Sequence, residues 1–186
     1  IGASKMFGMM MRILYSSEML MAILFILIVT ATSSALEINE IMYNPEYEND
    51  FNEWIEIYND EDSAIDLANY TLCGDLILGG YIEHDGNISE GNETILEAGE
   101  YAIITDGGGG TDVYENYDVD DDALALHVEK STLCDRGLNN DGDNISIMLN
   151  DGVIDEVTYE GDEEKGFSLE LRDGTFSQSA EIGGTP

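Results

Sequence analysis

The fold of this 186-residue chain is decided by one stretch, Asn139–Tyr159, which reads NNDGDNISIMLNDGVIDEVTY. In its first half the apolar residues Ile145, Ile147 and Leu149 alternate with other side chains, and a second β-rich run follows. The turn between the runs is predicted at Asp151-Gly152, because both residues of a two-residue hairpin loop need positive φ. A hairpin with one apolar face must pack on a second layer. We expect the rest of the chain to supply that layer.

The rest of the chain contains short β-strand-like segments separated by turn residues. In one of them Trp54, Glu56 and Tyr58 alternate with Ile55 and Ile57, which places the two sets on opposite faces. No segment after residue 35 has a long 3.6-residue period, so the chain is predicted to be an all-β sandwich. Besides the hairpin, the predicted strands are 36–43, 53–58, 64–67, 70–73, 94–96, 101–105 and 167–171.

Several connections between these strands can be predicted as well. Segments 94–96 and 101–105 are expected to pair with each other as a hairpin, whereas 123–128 fits either a strand or a short helix. The stretches 74–91 and 106–122 are interpreted as loop insertions. The predicted core comprises Trp54, Ile55, Ile57, Leu72, Leu96, Ile103, Ile145, Ile147 and Val157.

Residues 1–35 have the organisation of a secretory signal peptide. Arg12 precedes an apolar run at 19–29, and small residues at 33–35 follow it as at a signal-peptidase site. The alternative is an uncleaved anchor, which would attach the chain to a membrane through this segment alone. Because the chain begins at Ile1, residues 1–10 are interpreted as an over-extended start. This segment predicts that the protein is secreted or at the cell surface.

The charge of the chain is extreme, with 40 acidic and 6 basic residues and a net charge of −34. Such a surface repels phosphate backbones, so nucleic-acid binding is not expected. The same surface suits a saline or calcium-bearing medium, because dissolved ions screen the self-repulsion.

The two cysteines, Cys73 and Cys134, allow one disulfide in an exported protein. Closing that loop would stabilise the fold by about 4 kcal/mol in the chain-entropy model. The alternative is two buried free thiols, and the sequence leaves both open. Among the Asn-X-Ser/Thr sequons, Asn87 and Asn92 are the predicted glycan acceptors, while Asn69 and Asn144 border strands and are interpreted as structural.

Two acidic segments are candidates for calcium binding. Asp118, Asp120, Asp122 and Glu129 occupy positions 1, 3, 5 and 12 of an EF-hand loop, but Ala123 replaces the glycine of position 6. A true EF-hand is therefore not expected: a solvated acidic loop is the favoured interpretation, and an irregular calcium site built from these acids is the alternative.

The second candidate segment for calcium binding contains Asn139, Asp141 and Asp143.

No Ser-His-Asp arrangement, nucleophile elbow, P-loop or metalloprotease helix is present in the sequence, so no catalytic activity and no required cofactor are predicted.

The ordered set of motifs resembles the lamin-tail domain, the immunoglobulin-like sandwich of nuclear lamins and of many secreted prokaryotic proteins. The matching pieces are 38–42 (INEIM), 53–59 (EWIEIYN), 66–67, 70–72, 99–101, 138–145, 152–159 and 166–170. The resemblance implies an immunoglobulin-like β-sandwich over residues 36–186 that is not itself an enzyme. The insertions, the acidity and the two cysteines depart from the family, and the acidity argues against the DNA binding of lamins.

These observations predict an exported, non-catalytic binding or scaffold module at the cell surface, with a protein or a surface glycan as its partner. The first alternative is an accessory domain of a larger secreted hydrolase, a nuclease or phosphoesterase, whose catalytic part follows residue 186. The second is a structural subunit that assembles through exposed strand edges.

Overall fold

A large β-sheet that curls upon itself forms the body of the protein in the computed structural model. The structure describes residues 36–47, 52–82, 88–89, 92–108, 113–161 and 164–186. The strands are β1 (Leu36–Met42), β2 (Trp54–Asn59), β3 (Ile65–Asp66), β4 (Tyr70–Leu72), β5 (Asp75–Gly79), β6 (Tyr81–Ile82), β7 (Ile88–Ser89), β8 (Ile95–Leu96), β9 (Tyr101–Thr105), β10 (Leu124–Val128), β11 (Asp143–Leu149), β12 (Gly152–Tyr159), β13 (Leu169–Arg172) and β14 (Thr175–Gln178). A short helix, α1, spans Val113–Asn116, and 3₁₀ turns span Leu67–Asn69 and Leu133–Asp135.

Ten of the strands form one sheet in the order β12-β11-β4-β5-β10-β9-β2-β1-β13-β14. Its neighbours are antiparallel except for the parallel pair β9–β10. The sheet curls far enough that Asp155 on β12 accepts a hydrogen bond from the backbone of Ile38 on β1. The two sides of the curled sheet face each other and enclose an apolar core. This arrangement confirms the predicted immunoglobulin-like β-sandwich.

The predicted core residues are all buried, with 8% exposure at Val157 the highest among them. Ile55 and Ile57 lie in the main core between the walls, whereas Trp54 lies in a second cluster on the opposite face of β2. That second cluster is closed by Val113 of α1. The predicted alternation along β2 is therefore confirmed, and both of its faces are covered.

The predicted hairpin forms as β11 and β12, but the predicted turn is wrong by one residue. The turn residues are Asn150 and Asp151, with φ of 49° and 64°, and Gly152 already pairs with Leu149. Asn and Asp accept this left-handed conformation because their short side chains bond locally. Ile147 pairs with Asp155 and Met148 pairs with Val153, so Ile154 is an extra residue on β12. This bulge shifts the pairing of the hairpin by one residue.

Two connections differ from the sequence-based expectations. The predicted hairpin of 94–96 with 101–105 is wrong, because β8 pairs with β3 while β9 pairs with β2 and β10. The side chain of Asn59 donates to the carbonyls of Leu96 and Glu97 at 3.0 and 2.9 Å, which ties the end of β8 to the end of β2.

The stretch 74–91 is not a loop throughout, because Asp75–Gly79 form β5 inside the large sheet. Asp75 and Ile77 of this strand are buried, while Leu76 and Leu78 face outward. In the stretch 106–122, Val113–Asn116 form α1. The ambiguous segment 123–128 is strand β10, and the last predicted strand is followed by a further one, β14.

The predicted signal segment, residues 1–35, and the sequon residue Asn87 lie outside the described residues. Among the residues described, no helix has the length and apolarity needed to cross a bilayer.

Candidate functional site: buried glutamates beside an acidic cavity

Three glutamates lie side by side on neighbouring strands of the large sheet. Glu40 on β1 is paired with Glu56 on β2 and with Glu170 on β13. Residues directly opposite each other on paired strands point to the same face, so the three carboxyl groups form a row. Their exposed fractions are 0%, 4% and 7%. Burying carboxyl groups is costly unless each is hydrogen-bonded, paired or protonated.

A bulge in β1 turns Glu40 toward this row. The register of β1 against β2 shifts between Ile38 and Glu40, which makes Asn39 an extra residue. With strict alternation Ile38 and Glu40 would share a face, but the bulge leaves Ile38 in the core and Glu40 on the other face. The bulge therefore keeps a carboxylate out of the apolar core.

Glu40 is held by Thr185, in the segment that follows β14, and by Ser168, just before β13. Its Oε1 accepts hydrogen bonds from the N–H of Thr185 at 3.0 Å and from the hydroxyl of Ser168, and its Oε2 accepts from the hydroxyl of Thr185 at 3.0 Å. Burial raises the pKa of Glu40, and these bonds partly oppose the rise. Gly184 has a φ of +69°, and a Cβ there would overlap the Glu40 carboxylate. Only glycine fits at this close approach.

Only one of the two carboxylate oxygens of Glu170 has a partner among the described residues. Its Oε2 forms an ion pair with the half-exposed guanidinium of Arg172. Its Oε1 is buried and has no hydrogen-bond partner among the described residues. The row therefore contains a single described cation, at its outer end.

Glu56, at the other end of the row, has an unusual carboxyl group. Its Oε1 accepts a hydrogen bond from Nδ2 of Asn39 at 2.5 Å, while Oε2 has no partner among the described residues. Burial raises the pKa of Glu56 to about 7, and the negative charges of Glu40, Glu170 and Asp120 act in the same direction, against the Asn39 bond. Glu56 therefore keeps its proton to a higher pH than an ordinary glutamate does.

A solvent-connected cavity of about 400 Å³ lies beside Glu56. Pairing of β2 with β9 brings Tyr101 to its edge, where the ring packs on Tyr58 with centroids 4.8 Å apart and stays 42% exposed. The N–H of Asp120 donates to the carbonyl of Pro186 at 3.0 Å, which joins two walls of the cavity. The lining residues, among which there is no Lys, Arg or His, are Asn39, Glu56, Gly99, Glu100, Tyr101, Asp120, Asp122, Ala123, Thr185 and Pro186.

The first predicted calcium set is not brought together as a whole. Asp118, Asp120 and Asp122 are exposed on the approach to β10, and Glu129 follows the end of that strand. Five extended residues span roughly 16 Å, so Glu129 lies far from the aspartates. Within the described ranges, no group of three or more His, Cys, Asp or Glu side chains is placed to hold a metal ion. Asp120 and Asp122 instead line the cavity.

The second predicted calcium set stabilises its own loop. Oδ1 of Asn139 accepts from the N–H of Asp141 at 3.0 Å, and Oδ2 of Asp143 accepts from the N–H of Asn139 at 3.3 Å. The other oxygen of Asp143 accepts from the N–H of Asn144 at 2.8 Å. The side-chain oxygens of Asn139 and Asp143 therefore stabilise the turn that leads into β11.

The remaining predicted site residues lie at turns and strand ends. Cys73 and Cys134 are joined in a disulfide with Cα atoms 5.1 Å apart, which links the turn after β4 to the 3₁₀ turn near β11. Asn92 is exposed. Asn69 donates to the carbonyl of Asp66 and Asn144 to the hydroxyl of Thr158.

Sequence reasoning missed the glutamate row. Each of its members stands in a segment that was singled out for its motif, INEIM, EWIEIYN or the final SLE. A usable signal was present in β2, where Glu56 shares a face with Trp54: because Trp is highly buried on average, the face that carries it is expected to be covered.

The curled sheet and the two-sided core define the class of the chain as an immunoglobulin-like β-sandwich domain. The family described as LTD, Lamin Tail Domain, matches residues 29–161, and the chain belongs to this family. This is a family of immunoglobulin-like binding domains. The match includes β1 to β12, and it ends before β13, β14 and the segment that holds Glu40. A comparison with curated proteins finds no match to the chain.

Proposed function

We propose that this chain is an exported, non-catalytic binding or scaffold module that acts at a cell surface. The observation that carries the proposal is the acidic, solvent-connected cavity beside Glu56. Concave sites with a few convergent polar groups are the usual places for binding. The net charge of −34 favours a positively charged protein or surface partner over nucleic acid.

Two side chains that could act as a nucleophile or a base are inaccessible, which supports a non-catalytic role. Ser168 has no exposed surface and donates its hydroxyl to Glu40. His127 is 5% exposed, with Nδ1 3.0 Å from the carbonyl of Val128. Neither group can reach a bound substrate, and nucleophile and base must lie within hydrogen-bond reach of the reacting atoms.

We also propose that calcium stabilises the folded domain. The exposed aspartates Asp118, Asp120 and Asp122 are close in sequence and carry like charges. A divalent cation that associates with them would reduce their repulsion. The domain itself requires no cofactor in this proposal.

Export and binding are tested separately. The full chain is expressed with residues 1–35 in a bacterial host, and the proposal expects it outside the cytosol; retention in the cytosol would contradict export. The folded protein is then passed over immobilised basic, neutral and acidic proteins and surface glycans in a plasmon-resonance panel. We expect saturable binding to basic members, and binding to none of the panel would contradict the binding role.

Self-assembly is a second candidate because β14 is the last strand of the large sheet and Thr175, Ser177 and Gln178 on it are exposed. An edge strand presents unpaired N–H and C=O groups to another chain. Size-exclusion profiles at two protein concentrations test this candidate. A larger species that grows with concentration would support it, and an unchanged monomer would contradict it.

A further inference from the structure

We propose that the cavity beside Glu56 binds a lysine or arginine side chain of a protein partner. The charged end of that side chain contacts Oε2 of Glu56, and its aliphatic stem lies along the ring of Tyr101. This inference rests on the proposed binding function and names the chemistry of the partner.

Glu56 presents a buried carboxyl group to the cavity. Only 4% of its surface is exposed, and it lines the cavity. Asn39 holds Oε1 in place, which fixes the orientation of the carboxyl group, whereas Oε2 has no partner among the described residues. An N–H donor that carries a positive charge would satisfy this oxygen through a charge-assisted hydrogen bond, the stronger kind of hydrogen bond in proteins.

The walls of the cavity carry several acidic side chains. Glu100, Asp120 and Asp122 add negative charge around Glu56, and no basic side chain is among the lining residues that the structure describes. A concave site of one sign focuses the field and attracts the opposite charge. The cavity is therefore suited to a cation.

The lining of the cavity favours an organic cation over a metal ion. Calcium takes six to eight oxygen ligands, whereas the described part of the chain contains no group of three acidic or metal-binding side chains placed around one point. An ammonium or guanidinium group needs fewer acceptors, and its stem can cover the apolar atoms of Tyr101, Ala123 and Pro186. The ring of Tyr101 also offers a face for a cation–π contact.

The charge of the whole surface favours a protein as the source of this cation. A net charge of −34 attracts an extended basic surface more strongly than a single amine. A lysine or arginine on such a surface would reach the cavity as one anchor within a larger contact. Side chains of this kind that fill a pocket at the centre of an interface often dominate affinity.

Blocked pentapeptides test the inference. The wild-type chain is titrated by calorimetry with acetyl-Gly-Gly-Lys-Gly-Gly-amide, with its arginine counterpart, and with the same peptide carrying acetyl-lysine. We expect saturable binding of the lysine and arginine peptides and loss of binding when the lysine is acetylated. Equal binding of the acetylated peptide would overturn the inference, because that peptide lacks the charge.

Matched variants locate the site. Glu56→Gln removes one charge at the cavity, and Glu156→Gln removes one charge at an exposed position on β12. We expect E56Q to weaken peptide binding about tenfold or more, as for the loss of a hydrogen bond to a charged group, and E156Q to leave it within about twofold. Equal weakening by both variants would overturn the inference in favour of diffuse charge attraction.

Two further variants keep the test decisive if E56Q fails to fold. Tyr101→Ala and Asp120→Asn alter exposed residues at the cavity edge, and we expect each to weaken binding about threefold relative to E156Q. If neither does, the inference fails. If the chain binds basic proteins on the panel but the peptides neither bind nor compete, this inference fails while the proposed function stands.

Discussion

The carboxylate of Asp155 accepts a hydrogen bond from the backbone N–H of Ile38 at 2.8 Å, although the two residues are 117 positions apart. Asp155 lies on β12 and Ile38 lies beside the bulge of β1, so the bond joins strands that are far apart in the order of the sheet. Ile38 is paired with Ile57 of β2, and its N–H, one residue before the bulge at Asn39, is bonded by Asp155. A buried backbone N–H needs an acceptor, and Asp155 supplies it here.

Replacing Asp155 with alanine should therefore destabilise the fold. We expect D155A to lower the free energy of unfolding by about 1–3 kcal/mol, because the N–H of Ile38 loses its acceptor. Urea denaturation monitored by Trp54 fluorescence measures the change. Asp121→Ala, at an exposed position, is the control, and equal stability of the two variants would contradict a role for the bond.

Stability should fall as the pH rises from about 4.5 to 7 because of Glu56. Its folded-state pKa is raised from 4.5 to about 7, so the folded protein holds this proton more tightly than the unfolded chain does. The stabilisation is complete below pH 4.5 and is lost as the pH rises through about 7, and it amounts to about 3 kcal/mol at most. Glu40, Glu170 and Asp120 are the charged groups that act on Glu56, and none of them is basic.

Urea midpoints of the wild type and of Glu56→Gln at pH 5 and pH 7.5 check this prediction. The glutamine variant should lose less stability between the two pH values than the wild type does. Other groups, including Glu40 and Glu37, also have raised pKa values, so some pH dependence should remain in the variant. An identical pH dependence in both proteins would contradict the assignment to Glu56.

The glycine at position 184 should be required for the contact between Thr185 and Glu40. Gly184→Ala combines an unfavourable positive φ with an overlap between the new Cβ and the Glu40 carboxylate. Gly174 has a similar φ of +75°, and a Cβ added there would meet no atom within 4 Å, so Gly174→Ala isolates the backbone strain. We expect G174A to cost about 1 kcal/mol and G184A clearly more. Equal losses in thermal unfolding would contradict a steric role at Gly184.

Calcium should raise the melting temperature more than magnesium does at the same millimolar concentration and ionic strength. The expectation follows from the exposed aspartates of the 118–122 turn and from the larger number of oxygen ligands that calcium accepts. Differential scanning calorimetry measures both shifts. Equal small shifts with the two ions would reduce the effect to charge screening.

Local features of this fold are readable from the residues themselves. The alternation around Trp54 identified both faces of β2, and the β11–β12 hairpin follows from two β-rich runs around a turn. These patterns succeed because the period of two along a strand and the conformational freedom of turn residues are local properties. Even here the turn moved by one residue, since Asn150 accepts positive φ as Asp151 does and a bulge at Ile154 compensates.

The pairing of distant segments and the candidate site required the tertiary structure. No local pattern distinguishes β8 paired with β3 from β8 paired with β9, because the pairing that forms joins segments that are distant in the sequence. The polar strand β14 is a strand because it pairs with β13. Glu40, Glu56 and Glu170 look like ordinary solvent-facing acids until three strands come into register and cover them. Burial and the resulting change in pKa arise from packing between segments, so a single strand carries only an indirect sign of them, such as Trp54 on the same face as Glu56.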